Sequence, residues 1–294
     1  MTRTVQDPRG NMEPGGAQDG VRRRVESFGY SHVGKVRQTN EDHYVIASLQ
    51  RSVQLRQTNL DDAGMFDRLC GPMAYLFAVA DGVGGQAGGR LASGMAVQTI
   101  VEYLSETVGS YHGVPPGQEH AFLDPLGVAV QRAHETLLAN FEKAGQGGPA
   151  TTLTIALVVW PRAYIVHVGD SRAYHRRGGR LNRLTRDQTL GSYLVEQRAM
   201  SEQQVEKAGY HNVLTSAIGA SDMTPVVGVL DLEPGDALLL CTDGLTNDVP
   251  EGEIDALLAG AADPEGTCRA LVDRALDGGG RDNITAIVAY ALGE

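Results

Sequence analysis

Four acidic turns of one shared form are the residues of this sequence best suited to chemistry. Each places a carboxylate at the end of an extended stretch, beside Gly or Asn: Glu41-Asp42, Asp81-Gly82, Asp243-Gly244 and Asp282-Asn283. Asp170, within VGDSR, is a fifth such position. Oxygen-rich sets without sulfur suit hard cations such as Mg²⁺ and Mn²⁺. Carboxylates brought close together also need a cation between them, because like charges repel.

The stretch 74–93 illustrates how one of these turns is built. An apolar run over residues 75–80 predicts a buried strand, which ends at Asp81-Gly82 before a glycine-rich turn and a helical pattern from about Gly89. A carboxylate at this place suits a divalent cation, while glycine N–H groups at a helix start would suit a phosphate. Asp-Gly is also a common turn without any ligand. Alone, this stretch leaves the three interpretations open.

Composition narrows the class of protein. The 294 residues are 42% hydrophobic and 21% charged, which is typical of a soluble globular protein. A net charge of -11 argues against non-specific nucleic-acid binding. The three cysteines are widely spaced, which argues against a disulfide framework and fits a reducing compartment. No run approaches the roughly 18 apolar residues of a membrane span. We therefore expect a cytoplasmic protein without membrane or nucleic-acid partners.

The chain is predicted to comprise a tail and one folded domain. Residues 1–24 are poor in apolar residues and predict a disordered tail, followed by a domain over 25–294. Strands at 27–36 and 43–49 are expected to pair as a hairpin around the RQTNED loop. The polar segment 51–72 is predicted to be a surface insertion.

The remaining pattern favours an α+β fold. Apolar residues at helical spacing predict long helices at about 89–108 and 122–143. Apolar stretches predict strands at 151–160 and 163–168, before Asp243, and at the C-terminal end. Residues 189–212 are polar and helical in pattern, with Gly209 as the stop. Because strands and helices do not alternate regularly, we expect mostly antiparallel sheets covered by helices.

Six segments occur in an order that resembles a known family: RQTNED, FAVADGVGG, VGDSRAY, LTRDQT, LLLCTDGLTND and GGRDNITAIV. Together they resemble the metal-dependent protein phosphatases, the PPM or type 2C family of Ser/Thr phosphatases, and its bacterial members in particular. The resemblance runs from about residue 25 to the C-terminus. It implies a four-layer αββα sandwich of two antiparallel sheets flanked by helix pairs, with metals at one edge. It also implies that the segment 189–212 is a mobile flap beside the site.

The resemblance assigns metal-binding roles to the acidic turns. Asp81 would bridge two Mn²⁺ or Mg²⁺ ions, and the Gly82 carbonyl would ligate one of them. Asp243 and Asp282 would complete the shell of the other ion. Asp170, with Asp243, would bind a third, weaker metal. These cofactors follow from the family rather than from the spacing of the residues.

Other residues would act on water and phosphate. The resemblance implies that Glu41 and Asp42 hold metal-bound waters and that Arg37 grips the substrate phosphate, although Arg37 could instead be a surface residue paired with Glu41. Asn283 is expected to fix the last loop through side-chain hydrogen bonds. Two cations would lower the pKa of the water between them toward about 7. The hydroxide would attack phosphorus in line, while Arg37 and the metals stabilise the phosphoryl charge.

Three positions depart from the family pattern. Val83 stands where some members carry a His that is proposed to protonate the leaving alkoxide. Arg90 and Gln188 stand where Glu and His are frequent, which affects contacts around the site rather than a primary ligand. His167 and Cys241 are predicted to be packed residues rather than ligands.

The predicted function is metal-dependent hydrolysis of phosphoserine and phosphothreonine on proteins. The substrates would be products of a Ser/Thr kinase, and the enzyme is expected to be a monomer. The alternative is a non-catalytic regulatory module that binds phosphoproteins on the same fold. Such a module should have lost one or more of Asp81, Asp243 and Asp282, whereas all three are present.

Overall fold

The computed structural model describes residues 25–51, 71–84, 87–107, 120–141, 148–260 and 263–292. Within these ranges the strands are β1 Val25–His32, β2 His43–Arg51, β3 Gly71–Ala80, β4 Gly82–Val83, β5 Ala150–Thr151, β6 Leu153–Val159, β7 Arg162–Val168, β8 Arg172–Arg177, β9 Arg180–Arg183, β10 Val226–Asp231, β11 Ala237–Cys241 and β12 Ile284–Ala291. The α-helices are α1 Ala87–Thr107, α2 His120–Phe141, α3 Leu190–Glu196, α4 Glu202–Ala208, α5 Asp243–Thr246, α6 Glu251–Gly260 and α7 Pro264–Gly278.

Two five-stranded antiparallel sheets form the centre of the molecule. One has the order β1-β12-β11-β8-β9, and the other has the order β10-β7-β6-β3-β2. A two-stranded ribbon of β4 and β5 lies beside them. β6 pairs with β7 across the turn 160–161, and β8 pairs with β9 across the turn 178–179.

The layers follow from strands that are apolar on both faces. On β3, Leu76 and Ala78 pack into a core with α1 and α2, whereas Phe77 and Val79 pack into a second core between the sheets. In the other sheet, alternate residues of β11 and β12 face a third core formed with α5, α6 and α7. Side chains of a strand point alternately to its two faces. The predicted four-layer αββα sandwich is therefore confirmed.

The predicted hairpin of the first two strands is wrong. β1 pairs with β12, and β2 pairs with β3, so the two strands belong to different sheets. Hairpins are favoured by short turns, whereas the loop 33–42 is long and contains Gly34 at φ +84°. The strands instead face each other across the sandwich, where the Tyr44 hydroxyl donates to the Gly29 carbonyl at 3.1 Å.

Other boundaries differ from the predicted pattern in smaller ways. Strand β10 was not anticipated from the sequence; it is a short edge strand whose valines are largely exposed. Arg51 ends β2, while Gly71 and Pro72 begin β3, so the segment predicted as an insertion is shorter by these residues. The rest of that segment and the predicted tail 1–24 lie outside the described residues. Gly209 ends α4 in a left-handed conformation, as predicted.

Among the described helices, none combines the length and the apolar character that a bilayer crossing requires.

Candidate metal and phosphate site

The acidic turns meet at one edge of the sandwich. β2 begins where β3 ends, and β11 ends where β12 begins, because antiparallel neighbours reverse direction at a shared edge. Loops from both sheets thereby line one cavity of about 1540 Å³. The residues predicted for the site that line it are Arg37, Glu41, Asp81, Gly82, Asp170, Asp243, Asp282 and Asn283.

Asp42 lies beneath this cavity and joins the two sheets. Its carboxylate Oδ2 accepts hydrogen bonds from Thr242 at 2.9 Å and from Thr285 at 2.7 Å. Its Oδ1 is buried and has no hydrogen-bond partner among the described residues. Burial raises the pKa of Asp42 to about 7, against the opposing effect of the two threonine hydroxyls. A buried carboxylate with one unpaired oxygen can hold a water or a proton toward the site.

The backbone around Asp81 is held by two threonines. The Asp81 N–H donates to Thr152 Oγ1 at 3.0 Å, and the Asp81 carbonyl accepts from Thr151 Oγ1 at 2.7 Å. Burial, with the negative charges of Asp42 and Asp243, raises the pKa of Asp81 well above its ordinary value. The strand end thus presents a carboxyl group whose ionised form needs a positive partner.

Gly82 follows Asp81 and packs its backbone against the start of α1. A Cβ at this position would lie 2.2 Å from the Gly89 carbonyl oxygen and 2.9 Å from the Glu41 carbonyl oxygen. No larger residue fits without moving backbone. The close approach of α1 and of the loop that carries Glu41 explains why glycine follows Asp81.

Asp243 lies at the first residue of α5, directly after the end of β11. Asn247 Nδ2 donates to its Oδ2 at 3.0 Å, while its Oδ1 is buried without a partner among the described residues. Burial and the nearby charge of Asp282 raise the pKa of Asp243. The orphaned oxygen is the kind of buried acceptor that calls for a ligand, a water or an ion.

Arg37 pairs with a different carboxylate from the one considered in the sequence. Its Nη2 donates to Asp282 Oδ2 at 2.8 Å, and both side chains are partly exposed to the cavity. The alternative pairing with Glu41 is therefore wrong as a description of its hydrogen bond. Asp282 Oδ1 accepts from the Asn283 N–H at 2.8 Å, which orients the carboxylate.

Asn283 fastens the loop before β12 to the loop after β1. Its Oδ1 accepts from the Glu41 N–H at 2.8 Å, and its Nδ2 donates to the carbonyls of Val33 and Thr39 at 2.9 and 3.0 Å. Burial raises the pKa of Glu41, partly offset by Arg37. One buried amide thereby sets the position of a carboxylate carried by another loop.

Asp170 occupies the far side of the cavity, between β7 and β8. Burial and the charge of Asp243 raise its pKa to about 8. Arg172 makes two hydrogen bonds to Asp187, at 3.0 and 2.8 Å, and does not bond Asp170. Gln188 links this region to the loop before β10, since its Oε1 accepts from the Gly169 N–H and its Nε2 donates to the Thr224 carbonyl, both at 2.8 Å.

The segment 189–212 forms the opposite wall. Its helices α3 and α4 contribute side chains such as Ser192, Val195 and Glu206 to the cavity lining. Val83, the position without a histidine, lines the same cavity and is 40% exposed. His167 is buried away from it, between Thr154 Oγ1 and the Arg186 carbonyl.

Several supporting residues were missed in the sequence. They are the hydroxyl and amide groups that hold the carboxylates: Thr151, Thr152, Thr242, Thr285 and Asn247. A signal did exist, because each lies within a few residues of an acidic turn or in the TT pair that begins a strand. Across the part of the chain that the structure describes, no group of three or more His, Cys, Asp or Glu side chains is arranged to hold a metal ion by itself.

The sequence and the structure of the chain both match those of known proteins. A family model described as protein phosphatase 2C matches residues 50–274. The chain belongs to the protein phosphatase 2C family. This protein phosphatase 2C chain is 31% identical over 219 residues to the serine/threonine protein phosphatase PstP of Mycobacterium tuberculosis, covering 74% of the chain and 40% of PstP. It is 30% identical over 236 residues to the serine/threonine phosphatase Stp of Listeria monocytogenes, covering 80% of the chain and 91% of Stp.

The protein phosphatase 2C chain therefore spans less than half the length of PstP and most of the length of Stp. A solved structure of the PstP catalytic domain in complex with two manganese ions matches it with a TM-score of 0.70 at 27% identity. That match covers 92% of this chain and 99% of the solved one. The family resemblance read from the six segments is confirmed.

Proposed function

We propose that this protein phosphatase 2C chain is a metal-dependent protein-serine/threonine phosphatase. One observation carries the proposal: five carboxylates from loops of both sheets line the same cavity as Arg37. The five are Glu41, Asp81, Asp170, Asp243 and Asp282. Carboxylates bind divalent cations and an arginine binds phosphate, which is the combination that phosphoryl transfer to water requires.

The residues fit divalent cations. A bound cation would give the buried and unpaired Oδ1 of Asp243 a partner and would favour the ionised form of Asp81, whose pKa is raised. At Gly82 the missing side chain lets the backbone come close to the site. Mg²⁺ keeps several waters and needs only one or two carboxylates, so carbonyl oxygens and water can complete its shell. Asp81, the Gly82 carbonyl, Asp243 and Asp282 would hold two Mn²⁺ or Mg²⁺ ions. Asp170 with Asp243 would hold a third, more weakly.

Such ions, when bound, activate water at neutral pH and neutralise charge on phosphoryl oxygens. The chain supplies the remaining parts. Arg37 uses one of its donors on Asp282, and a guanidinium has five, so others can grip the substrate phosphate. Asp42 and Glu41 accept protons or hold water at the cavity floor. Val83 cannot donate a proton to the leaving group, so that proton must come from water.

The substrates are proposed from the same chemistry. The cavity of about 1540 Å³ is large enough for a phosphorylated side chain carried on a protein. The curated relatives are named serine/threonine phosphatases. A Ser/Thr kinase as the source of these substrates, a monomeric enzyme and a cytoplasmic location remain predictions.

The test is release of phosphate from a phosphothreonine peptide in Mn²⁺ and then in excess EDTA. We expect turnover in Mn²⁺ that EDTA abolishes and added Mn²⁺ restores. Asp243→Asn should lower kcat/KM by at least about a hundredfold, as loss of a metal ligand exceeds the effect of losing an outer partner.

The matched control is Asp231→Asn, an exposed aspartate at the end of β10. It should retain wild-type turnover. Activity that persists in EDTA would overturn the metal requirement. No turnover of any phosphopeptide, together with retained peptide binding, would favour the non-catalytic regulatory module.

A further inference from the structure

Asp248 is a buried acidic residue that the mechanism above does not use. It follows α5 closely, and its side chain is only 2% exposed. The backbone on either side of it is fixed, because Leu245 and Val249 are fully packed into the core beneath α6 and α7. The Asp248 carboxylate therefore extends from a rigid part of the molecule.

Both oxygens of Asp248 contact the glycine-rich loop before β12. Its Oδ1 accepts from Arg281 Nη2 at 2.6 Å, and its Oδ2 accepts from the Gly280 N–H at 2.9 Å. This loop has little stiffness of its own, since Gly279 and Gly280 have φ values of +144° and +56°. The Gly279 and Gly280 N–H groups also bond carbonyls at the end of α7, and the Asp248 carboxylate adds the side-chain anchor that ties the loop to the segment after α5.

The anchored loop positions two residues of the proposed site. Asp282 is the second residue after Gly280. The Gly280 carbonyl also accepts from the Lys35 N–H at 2.6 Å, two residues before Arg37. Arg37 and Asp282 then bond each other at 2.8 Å. Hydrogen bonds and two short stretches of backbone thus connect Asp248 to the proposed phosphate-binding arginine and to a proposed metal ligand.

The same short segment also carries Asp243. Asn247 holds Asp243 Oδ2, and Asp248, the next residue, holds the loop that presents Asp282. The separation of two proposed ligands from different loops is therefore set by neighbouring residues of one rigid turn.

We propose that Asp248 is a positioning residue that holds the loop 279–282 so that Asp282 and Arg37 are correctly placed for metal and phosphate. This inference rests on the proposed function. Asp248 lines the edge of the cavity but is not among the proposed metal ligands. Its role is to fix the distance between the segment that carries Asp243 and the loop that carries Asp282.

The test compares Asp248→Ala with the wild-type protein by three measurements. Amide hydrogen exchange of the metal-free protein should be faster over 279–283 and around Lys35, because the Gly280 N–H keeps only its bond to the Ala275 carbonyl and Arg281 loses its carboxylate partner. Calorimetric titration with Mn²⁺ should give about a tenfold weaker Kd, which is usual when a partner of a metal ligand is removed. The KM for a phosphothreonine peptide should rise as Arg37 loses its fixed position.

Two variants separate this role from general stability. Asp255→Ala removes a partly buried carboxylate of α6, which lies outside the loop 279–282. This carboxylate accepts a hydrogen bond from Arg176 at 2.8 Å. The variant should leave the exchange of 279–283, the Mn²⁺ affinity and the KM unchanged. Asp248→Asn keeps an oxygen that can accept from the Gly280 N–H but loses the charge that pairs with Arg281, so it should recover part of each effect. A merely space-filling role would predict full recovery, because Asn has the size of Asp.

Wild-type exchange over 279–283 in Asp248→Ala would overturn the proposal, as would wild-type Mn²⁺ affinity. If Asp248→Ala does not fold, Asp248→Asn decides by the same measurements. A wild-type protein that binds no Mn²⁺ would contradict the proposed function, while hydrogen exchange would still decide whether Asp248 holds the loop.

Discussion

At the scale of single residues, the site gathers several buried carboxyl groups, and burying them side by side costs folding free energy. Asp42, Asp81, Asp170 and Asp243 all have raised pKa values, chiefly because burial disfavours their charged forms. Their neighbours are mostly other acids, so each ionisation hinders the next. The metal-free protein should therefore be least stable at the pH values at which these groups must ionise.

The pH dependence of stability follows from Asp170. Its pKa is about 8 in the folded protein against an ordinary value of 3.8. Between these values the folded state retains a proton that the unfolded state has released, so stability falls as pH rises through this window. In EDTA, Asp170→Asn should become progressively more stable than wild type from about pH 4 to pH 8. Thermal unfolding of both proteins across this range checks the prediction.

The control for this comparison is Asp222→Asn, an exposed aspartate on the loop before β10. Its melting temperature should differ from wild type by the same amount at every pH. A constant difference between Asp170→Asn and wild type would contradict a raised pKa at Asp170. Mn²⁺ should reverse the effect, because a cation favours the ionised carboxylates.

At the scale of elements, the site depends on how loops from two sheets are tied together. The loop after β1 and the loop before β12 are joined by Asn283, and the end of β11 is joined to the start of β2 through Asp42. None of these loops would have a defined position alone. The two sheets form the edge at which the loops meet, and a few buried polar side chains fix the positions of the loops on that edge.

Replacement of Asn283 tests this dependence. Asn283→Ala leaves the Glu41 N–H and the carbonyls of Val33 and Thr39 without their partner. An unsatisfied buried polar group costs about 1–3 kcal/mol. We expect the free energy of unfolding in urea to fall by about 2–3 kcal/mol.

Asn140→Ala serves as the comparison, since Asn140 is exposed on α2 and its side chain donates to the Thr136 carbonyl of the same helix. Its effect should stay within about 0.5 kcal/mol, as for most surface substitutions. Equal stability of Asn283→Ala and wild type would mean that water replaces all three bonds.

At the scale of the whole molecule, three apolar cores hold four layers together. The core between the sheets is the one on which the site depends most, because it sets how the two loop-bearing edges face each other. Phe77 is fully buried there, on the strand that ends at Asp81.

Phe77→Ala should lower the free energy of unfolding by about 3–5 kcal/mol, the usual cost of removing a buried aromatic ring. Urea titration measures it, with Val227→Ala on the exposed edge strand β10 as the control. The side chain does not line the cavity, so kcat well below the melting temperature should change little. A loss of kcat without a loss of stability would contradict this separation of core and site.

Buried strands were predicted well from the sequence, whereas an exposed strand and one strand pairing were not. Runs such as 75–80 and 237–241 were predicted because both faces of these strands are buried and their residues are almost all apolar. β10 was not predicted because it is short and exposed, so its residues do not show the apolar pattern of a buried strand. The pairing of β1 and β2 was predicted wrongly because neighbours in sequence often form hairpins, whereas here the long loop lets the chain cross between sheets.

The sequence by itself indicated an α+β fold and the acidic turns, because strand patterns and Asp-Gly or Asp-Asn turns are local properties. The family and its layered sandwich followed from the resemblance of six ordered segments. Only the tertiary structure decided which groups hold those turns. The Thr242 and Thr285 hydroxyls on Asp42, the Arg37 bond to Asp282 and the Asp248 anchor join residues far apart in the chain. Local pattern cannot specify such pairs, because they arise only when two sheets pack and bring their loop edges together.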